Sequence, residues 1–286
     1  MTRPDLVARA RGLAARVPAA DPVSAEAAET TARDRVAAEL ATLARWGGND
    51  PVVAALILDE DRRSVRALVR GLAGNLAPQS RRAGTTPTPS LPSATIAMLS
   101  SVSSLEILAG ALARRGHPLA APLAMESSGH IDLLAIEVAL ARAFVSATSA
   151  ATRERAFGIY RGQLVDAENA NTALLVAARG RSMSAASVLL DGGTRDLAPA
   201  CRESLDRARE LVAHAFAGTP IAAAVFGTAP SALEDATLEW QFETQARLRR
   251  VEPAGAAAVI HAVLRRRHEA RTQRLSGWQA LLGGAR

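Results

Sequence analysis

The spacing of polar and apolar residues along this 286-residue chain favours helices throughout. No stretch alternates polar and apolar residues in the way a half-buried strand requires. Asp50-Pro51 places a capping side chain before a proline, and residues 103–106 and 231–234 both match the Ser-x-x-Glu pattern that begins helices. Alanine, the strongest helix former, supplies 64 residues. The sequence therefore predicts an all-α protein.

Residue types that carry common enzymatic chemistry are missing. All 34 basic residues are arginine, which excludes a Schiff-base lysine, a lysine-containing phosphate loop and a Ser-Lys pair. No zinc-binding, nucleophile-elbow or dinucleotide-binding motif occurs. Asp59-Glu60-Asp61 could suggest a metal cluster, but consecutive helical positions point in different directions, so we interpret it as a solvated face. We expect no active site, no metal and no cofactor.

Composition also limits the compartment and the partners. A single cysteine, Cys201, gives no sign of an oxidising compartment. The uncharged stretches 83–105 and 211–233 are interrupted by polar residues or by glycine and proline, so neither predicts a membrane span. The net charge of +6 is carried by scattered arginines among few aromatic residues, a pattern that disfavours nucleic-acid binding. We expect a soluble, cytoplasmic chain.

Two breaks divide the chain into thirds. Residues 74–92 are rich in proline and threonine and predict an extended, solvated linker, and a turn cluster follows at 191–194. The predicted modules are residues 1–95, 96–195 and 196–286. A faint repeat accompanies them, because aligning Ser64, Asn169 and Glu269 gives offsets of 105 and 100 residues.

Residues 162–173, with the sequence Gly-Gln-Leu-Val-Asp-Ala-Glu-Asn-Ala-Asn-Thr-Ala, resemble the most characteristic stretch of the C (or d) subunit family of V-type and A-type rotary ATPases. Members carry a similar Asp-x-x-Asn core on a long helix that ends near a glycine, here Gly180. Shorter matches follow the family order at residues 8–11, 116–119, 217–220 and 231–234. Position 64 holds serine where members often hold asparagine. The resemblance spans nearly the whole chain.

This resemblance implies both an architecture and a role. Family members consist of three related helical modules, arranged pseudo-threefold into a funnel-shaped single body. The implied role is that of a non-catalytic central-stalk rotor subunit in ATP-driven or ATP-synthesising ion translocation. Such a subunit seats the axle subunits in its funnel and rests on the membrane proteolipid ring, at the cytoplasmic face, through protein contacts.

Polar residues of the repeated helices are the candidate partner-binding residues. As the lining of the funnel, the resemblance suggests Asp61, Ser64, Arg66, Asp166, Asn169, Asn171, Glu269 and Thr272. The alternative for each of them is that it supports its own module. Two other functions also stay open at this point: a helical-repeat adaptor that binds an acidic protein partner, and a basic nucleic-acid-associated protein.

Overall fold

The chain folds entirely into helices and connecting segments over the residues that the structure describes. The computed structural model describes residues 5–8, 25–126, 132–180, 185–227 and 231–283, and no strand occurs among them. The all-α prediction is confirmed. Residues 9–11 of the predicted opening match lie outside the described residues. From residue 25 onward the α-helices are α1 Ala25–Gly47, α2 Pro51–Ala73, α3 Pro78–Ala83, α4 Ser93–Ser100, α5 Leu105–Ala113, α6 Ala120–Glu126, α7 Leu133–Ala147, α8 Arg155–Ala178, α9 Ala185–Val188, α10 Leu205–Ala215, α11 Pro220–Ala224, α12 Ala232–Val251 and α13 Ala256–Gly283.

Local capping explains where several helices begin. Asp50 accepts hydrogen bonds from the backbone N–H groups of Val52 and Val53, as predicted for the start of α2. The two predicted Ser-x-x-Glu boxes are wrong. α5 is capped one residue later, by Ser104, which places Glu106 too early to complete the box. Ser231 precedes α12, but its side chain accepts no capping hydrogen bond.

Residues 74–92 are mostly exposed, as their composition predicted, but they are not extended throughout and three of them are buried. α3 occupies the middle of the segment, and Thr85, Thr88 and Leu91 are buried. Arg81 Nη1 donates to the Val102 carbonyl oxygen at 2.6 Å. Proline and threonine favour an extended backbone, but burial here follows from hydrogen bonds to distant helices, which composition does not reveal.

Three apolar clusters form the core. Cluster A joins α1, the first halves of α2 and α8, and α13, with one residue each from α7 and α12, around Phe157 and Tyr160. Cluster B joins the second half of α8 to α7, α10, α11 and the start of α12, around Phe216. Cluster C joins the second half of α2 to α4, α5, α6 and α7. Since α2 and α8 each pass from one cluster to another and α7 contributes to all three, the clusters are tied together by continuous helices.

The predicted boundary at residue 95 falls inside α4, and cluster C includes residues on both sides of it. The division into 1–95, 96–195 and 196–286 stays a prediction.

None of the described helices combines the length and the apolar character needed to cross a bilayer.

Candidate functional site

α2 holds the segment that follows it through two of the predicted site residues. Asp61 is buried and accepts hydrogen bonds from the hydroxyl groups of Thr88 and Ser90. Ser64 Oγ accepts a hydrogen bond from the backbone N–H of Thr86 at 2.9 Å and lies 3.2 Å from the carbonyl oxygen of the same residue. Both side chains therefore fix this loop against α2.

α8 holds its following loop in the same manner. Asp166 is buried and accepts hydrogen bonds from the backbone N–H and hydroxyl groups of Thr194, at 2.8 and 2.7 Å, and from the backbone N–H of Arg195 at 3.1 Å. Asn169 pairs with both backbone groups of Leu190, at 2.7 and 3.0 Å. The buried carboxylate thus has donors on both oxygens, as a buried charge requires.

The two arrangements match in order and spacing. The residue three positions after each aspartate bonds to backbone 22 residues ahead in α2 and 21 residues ahead in α8. The aspartate bonds to a threonine hydroxyl 27 residues ahead in α2 and 28 in α8. A common contact pattern therefore accompanies the first two copies of the repeat, and Ser64 fills the place of Asn169.

The third copy, at residues 266–273, makes different contacts. Glu269 pairs with Arg265 at 2.8 Å and with Arg266 at 2.6 Å, and Thr272 donates to the carbonyl oxygen of His268 at 3.0 Å. All of these partners lie on α13 itself. The pseudo-threefold relation of three modules, and the funnel, stay predictions.

Close approach of the second loop to α8 depends on glycine. A Cβ at Gly193 would overlap the carboxylate of Asp166 and lie 3.2 Å from Val165 Cγ1. Gly192 adopts φ +94°, a backbone conformation that favours glycine. The loop can therefore lie flat on the helix only with small residues at its turn.

The other predicted residues occupy more open positions. Arg66 bridges two helices, because Nη1 lies 2.8 Å from Glu168 Oε1 and Nη2 lies 2.7 Å from Glu137 Oε2. Asn171 lines a shallow depression between α7 and α8, together with Glu137 and Glu168. Thr272 is exposed. The structure therefore does not bring the eight predicted residues to one site; the buried ones are Asp61, Ser64, Asp166 and Asn169.

A buried ion-pair network joins α2 to α8. Arg62 lies 3.0 Å from Asp59 Oδ1 on its own helix and 2.8 Å from Glu168 Oε1 on α8. Its guanidinium group also lies 5.6 Å from the centre of the Phe144 ring. Because Arg66 shares the same oxygen of Glu168, one carboxylate holds two arginines of α2.

α13 enters the same network through Arg267. Its guanidinium group lies 2.8 Å from Asp59 Oδ2 and 2.7 Å from Glu60 Oε2. It also donates to the Tyr160 hydroxyl oxygen at 3.0 Å, and that hydroxyl donates to Asp59 at 2.7 Å. Charges from α2, α8 and α13 therefore neutralise one another inside cluster A.

Further pairs extend the network to the outer helices. Arg266 on α13 lies 2.6 Å from Glu39 Oε2 on α1. Arg271 pairs with Asp235 and donates to Ser231 at 3.0 Å, which ties α13 to the start of α12. We call the connected charges around Asp59, Arg62, Glu168 and Arg267, together with these extensions, the charged junction.

Electrostatics keep the central carboxylates ionised. Burial by itself would raise the pKa of Glu168, but the charges of Arg66 and Arg62 outweigh it and lower this pKa to about 2. The same opposition, with Arg267 as the strongest positive neighbour, lowers the pKa of Asp59 well below its usual range. Both groups are therefore charged at neutral pH and bound to arginine.

Two other groups of the charged junction have raised pKa values. Burial and the neighbouring charge of Asp59 raise the pKa of Tyr160 to about 12, so its hydroxyl keeps its proton. Burial raises the pKa of Glu39, and the hydrogen bond from Arg266 offsets only part of that effect. The hydroxyl of Tyr160 therefore stays a hydrogen-bond donor at neutral pH.

The charged junction corrects one interpretation of the sequence. Asp59-Glu60-Asp61 is not a solvated face, since all three side chains are buried. Their neutralising partners include Arg267, which lies more than 200 residues away in the sequence. One feature of the sequence could have revealed this burial: arginines recur on α2 at positions 62, 66 and 70, on the same helix as the three acidic residues.

Over the described residues, no group of three or more metal-ligating side chains is placed to hold a metal ion.

Fold and junction together define a class of protein: an all-helical scaffold in which distant helices are locked by internal ion pairs. The profile of the ATP synthase (C/AC39) subunit family matches residues 13–274. The chain belongs to this family, and is thus a subunit of the V/A-type rotary ATPase kind. No curated protein matches the chain closely enough to serve as a named relative.

Proposed function

We propose that this chain is a non-catalytic rotor subunit of the central stalk of a V/A-type rotary ATPase. It seats the axle subunits and rests on the membrane proteolipid ring at the cytoplasmic face, so that torque passes between ATP chemistry and ion translocation. The family match supports the assignment to such a complex. The single structural observation that carries the proposal is the charged junction, because a torque-bearing part needs helices that do not slide past one another.

Buried ion pairs resist displacement of the helices that carry them. Moving Arg62 away from Glu168, or Arg267 from Asp59, leaves a charge buried without a partner. That state is strongly unfavourable, so the paired arrangement is held in one register. Cluster A surrounds the pairs with close-packed side chains of low compressibility. The result is a stiff body in which α1, α2, α8 and α13 move together.

Partner contacts are proposed from the eight predicted residues according to exposure. Direct contacts are proposed for the four that retain exposed surface, which are Arg66, Asn171, Glu269 and Thr272. The buried side chains Asp61, Ser64, Asp166 and Asn169 are proposed to act indirectly, by holding the loops that a partner meets.

Purification of the rotary ATPase from the source organism tests this role. An affinity tag on an axle subunit should recover this chain in stoichiometric amount, together with the proteolipid ring. Intact complex that lacks the chain would overturn the proposal. A matched test of the contacts compares Asn171→Arg with Asp191→Arg, both on the module of α8, and only the first should reduce recovery.

A further inference from the structure

One part of the chain exposes hydrophobic side chains beside arginines that have no acidic partner. Residues 74–126 contain four of the seven large hydrophobic residues that are exposed among the residues whose burial the structure describes; the four are Leu76, Met98, Ile107 and Met125. The same segment carries four arginines and two glutamates. Exposed apolar side chains next to a local positive charge are typical of interaction surfaces.

Contacts with α4 and α5 place a basic pair within a helical turn of two of these hydrophobic residues. Arg115 Nη2 lies 3.2 Å from Thr95 Oγ1, and Met98 is one helical turn further along α4. Arg114 extends back over Gly110, with Nη1 3.7 Å from the place of a Cβ there, and Ile107 is one turn earlier on α5. Met98 is 37% exposed and Ile107 is 49% exposed. We call Met98, Ile107, Arg114 and Arg115 the basic-apolar patch.

The charges of this patch are available to a ligand. Arg114 and Arg115 are exposed, and so is Arg82, whose backbone carbonyl accepts a hydrogen bond from Arg33. Among the described residues none of these three arginines forms an ion pair with a carboxylate. The arginines of the charged junction, by contrast, are neutralised inside the molecule.

The chemistry of the patch favours a lipid surface over a protein. Residues 74–126 contain no aromatic residue, and aromatic anchors dominate the buried centres of protein interfaces. Anionic headgroups need only basic side chains, and the acyl boundary beneath them accepts flexible aliphatic groups such as methionine and isoleucine. Long arginine side chains can keep their charge at the headgroups while their stems cover apolar surface.

We propose that the basic-apolar patch binds the surface of an anionic lipid bilayer directly. The contact goes beyond the coupling role, because it needs no other subunit of the complex. It orients the surface of the protein that carries α4 and α5 toward the membrane. Arg114 and Arg115 then lie at the headgroups, with Met98 and Ile107 beneath them.

Vesicle flotation with the full-length chain tests the proposal. The chain should float with vesicles of equal parts phosphatidylcholine and phosphatidylglycerol and stay unbound with pure phosphatidylcholine. Arg114→Gln with Arg115→Gln should weaken binding by roughly 30-fold, since each basic side chain near an anionic surface contributes roughly fivefold. Met98→Ser with Ile107→Ser should also weaken it, while leaving the dependence on lipid charge intact.

A charge-matched control separates this patch from general attraction. Arg247→Gln with Arg250→Gln removes two exposed arginines of α12 and should leave flotation nearly unchanged. Circular dichroism and thermal melting of each variant report whether the fold is preserved. The single variant Arg114→Gln removes one charge of the patch while retaining the Arg115 contact with Thr95. No flotation with the anionic vesicles, equal binding to both kinds of vesicle, or equal loss in the Arg114/Arg115 and Arg247/Arg250 double variants would overturn the proposal. If the chain does not float, it can still be recovered with the rotary ATPase. The lipid-binding proposal and the proposed rotor function can therefore fail independently.

Discussion

At the scale of single residues, Asp166 controls the loop that follows α8. Its carboxylate accepts three hydrogen bonds from Thr194 and Arg195. Asp166→Ala should lower the free energy of unfolding by about 2–4 kcal/mol, because buried donors lose their acceptor. Urea unfolding measures the change. Asp191→Ala, an exposed aspartate of the same loop, is the control and should cost less than about 0.5 kcal/mol; similar losses from both would contradict the assigned role.

His261 makes the stability of the chain depend on pH. Arg249 Nη1 lies 3.3 Å from its Nδ1, and the Phe242 ring stacks at 4.7 Å. Burial and the charges of Arg249 and Arg265 lower the pKa of His261 from 6.5 to about 4. The unfolded chain therefore takes up this proton first, and the contribution of His261 is complete above pH 6.5 and is lost as the pH falls toward 4.

Removal of this imidazole should flatten the pH dependence. His261→Phe keeps a ring for stacking and should lose less stability than the natural chain between pH 6.5 and pH 4. Chemical unfolding at several pH values measures the slope. His214→Gln changes an exposed histidine and should retain the original slope. An unchanged slope in His261→Phe would show that other groups govern this range.

At the scale of helices, Glu168 couples α8 to α2. Glu168→Gln leaves Arg62 and Arg66 without their shared charge and should cost about 3–5 kcal/mol. Arg207→Gln, which breaks the exposed Arg207–Glu210 pair on α10, should cost about 0–1 kcal/mol. Denaturant unfolding at neutral pH compares the two variants. Comparable losses would mean that the buried pairs do not hold the helices together.

The same carboxylate should contribute to acid sensitivity. The folded pKa of Glu168 is about 2 against an ordinary value of 4.5, so its stabilisation is present above pH 4.5 and is lost as the pH falls toward 2. The difference in unfolding free energy between the natural chain and Glu168→Gln should therefore shrink across that range. A difference that stays constant down to pH 2 would contradict the paired, ionised state.

Sequence patterns predicted elements better than they predicted contacts between them. Asp50 marks the start of α2 because its partners lie two and three residues away. Asp166 and Asn169 stand out by their spacing, yet the loop they hold lies more than 20 residues further on. Asp59 and Arg267 meet only when α2 and α13 pack side by side, and no local pattern encodes that meeting. The missed residues are therefore those whose partners are distant in sequence.

At the scale of the whole molecule, charge has two separate uses. Arginines of α2 and α13 neutralise buried carboxylates and hold the helices in register. Near α4 and α5, three arginines (Arg82, Arg114 and Arg115) stay exposed and have no carboxylate partner among the described residues, which leaves their charge for an external surface. Internal ion pairs that hold the helices in register give the stiffness that the proposed coupling role requires.

Reconstitution with and without this chain tests the coupling role most directly. Rotary ATPase depleted of the chain is placed in sealed vesicles, and ATP hydrolysis and ion pumping are measured before and after the purified chain is added back. If the chain couples the two processes, the depleted complex should hydrolyse ATP without pumping ions, and added chain should restore pumping. Full pumping by the depleted complex, or restored pumping with an unrelated helical protein in its place, would contradict the coupling role.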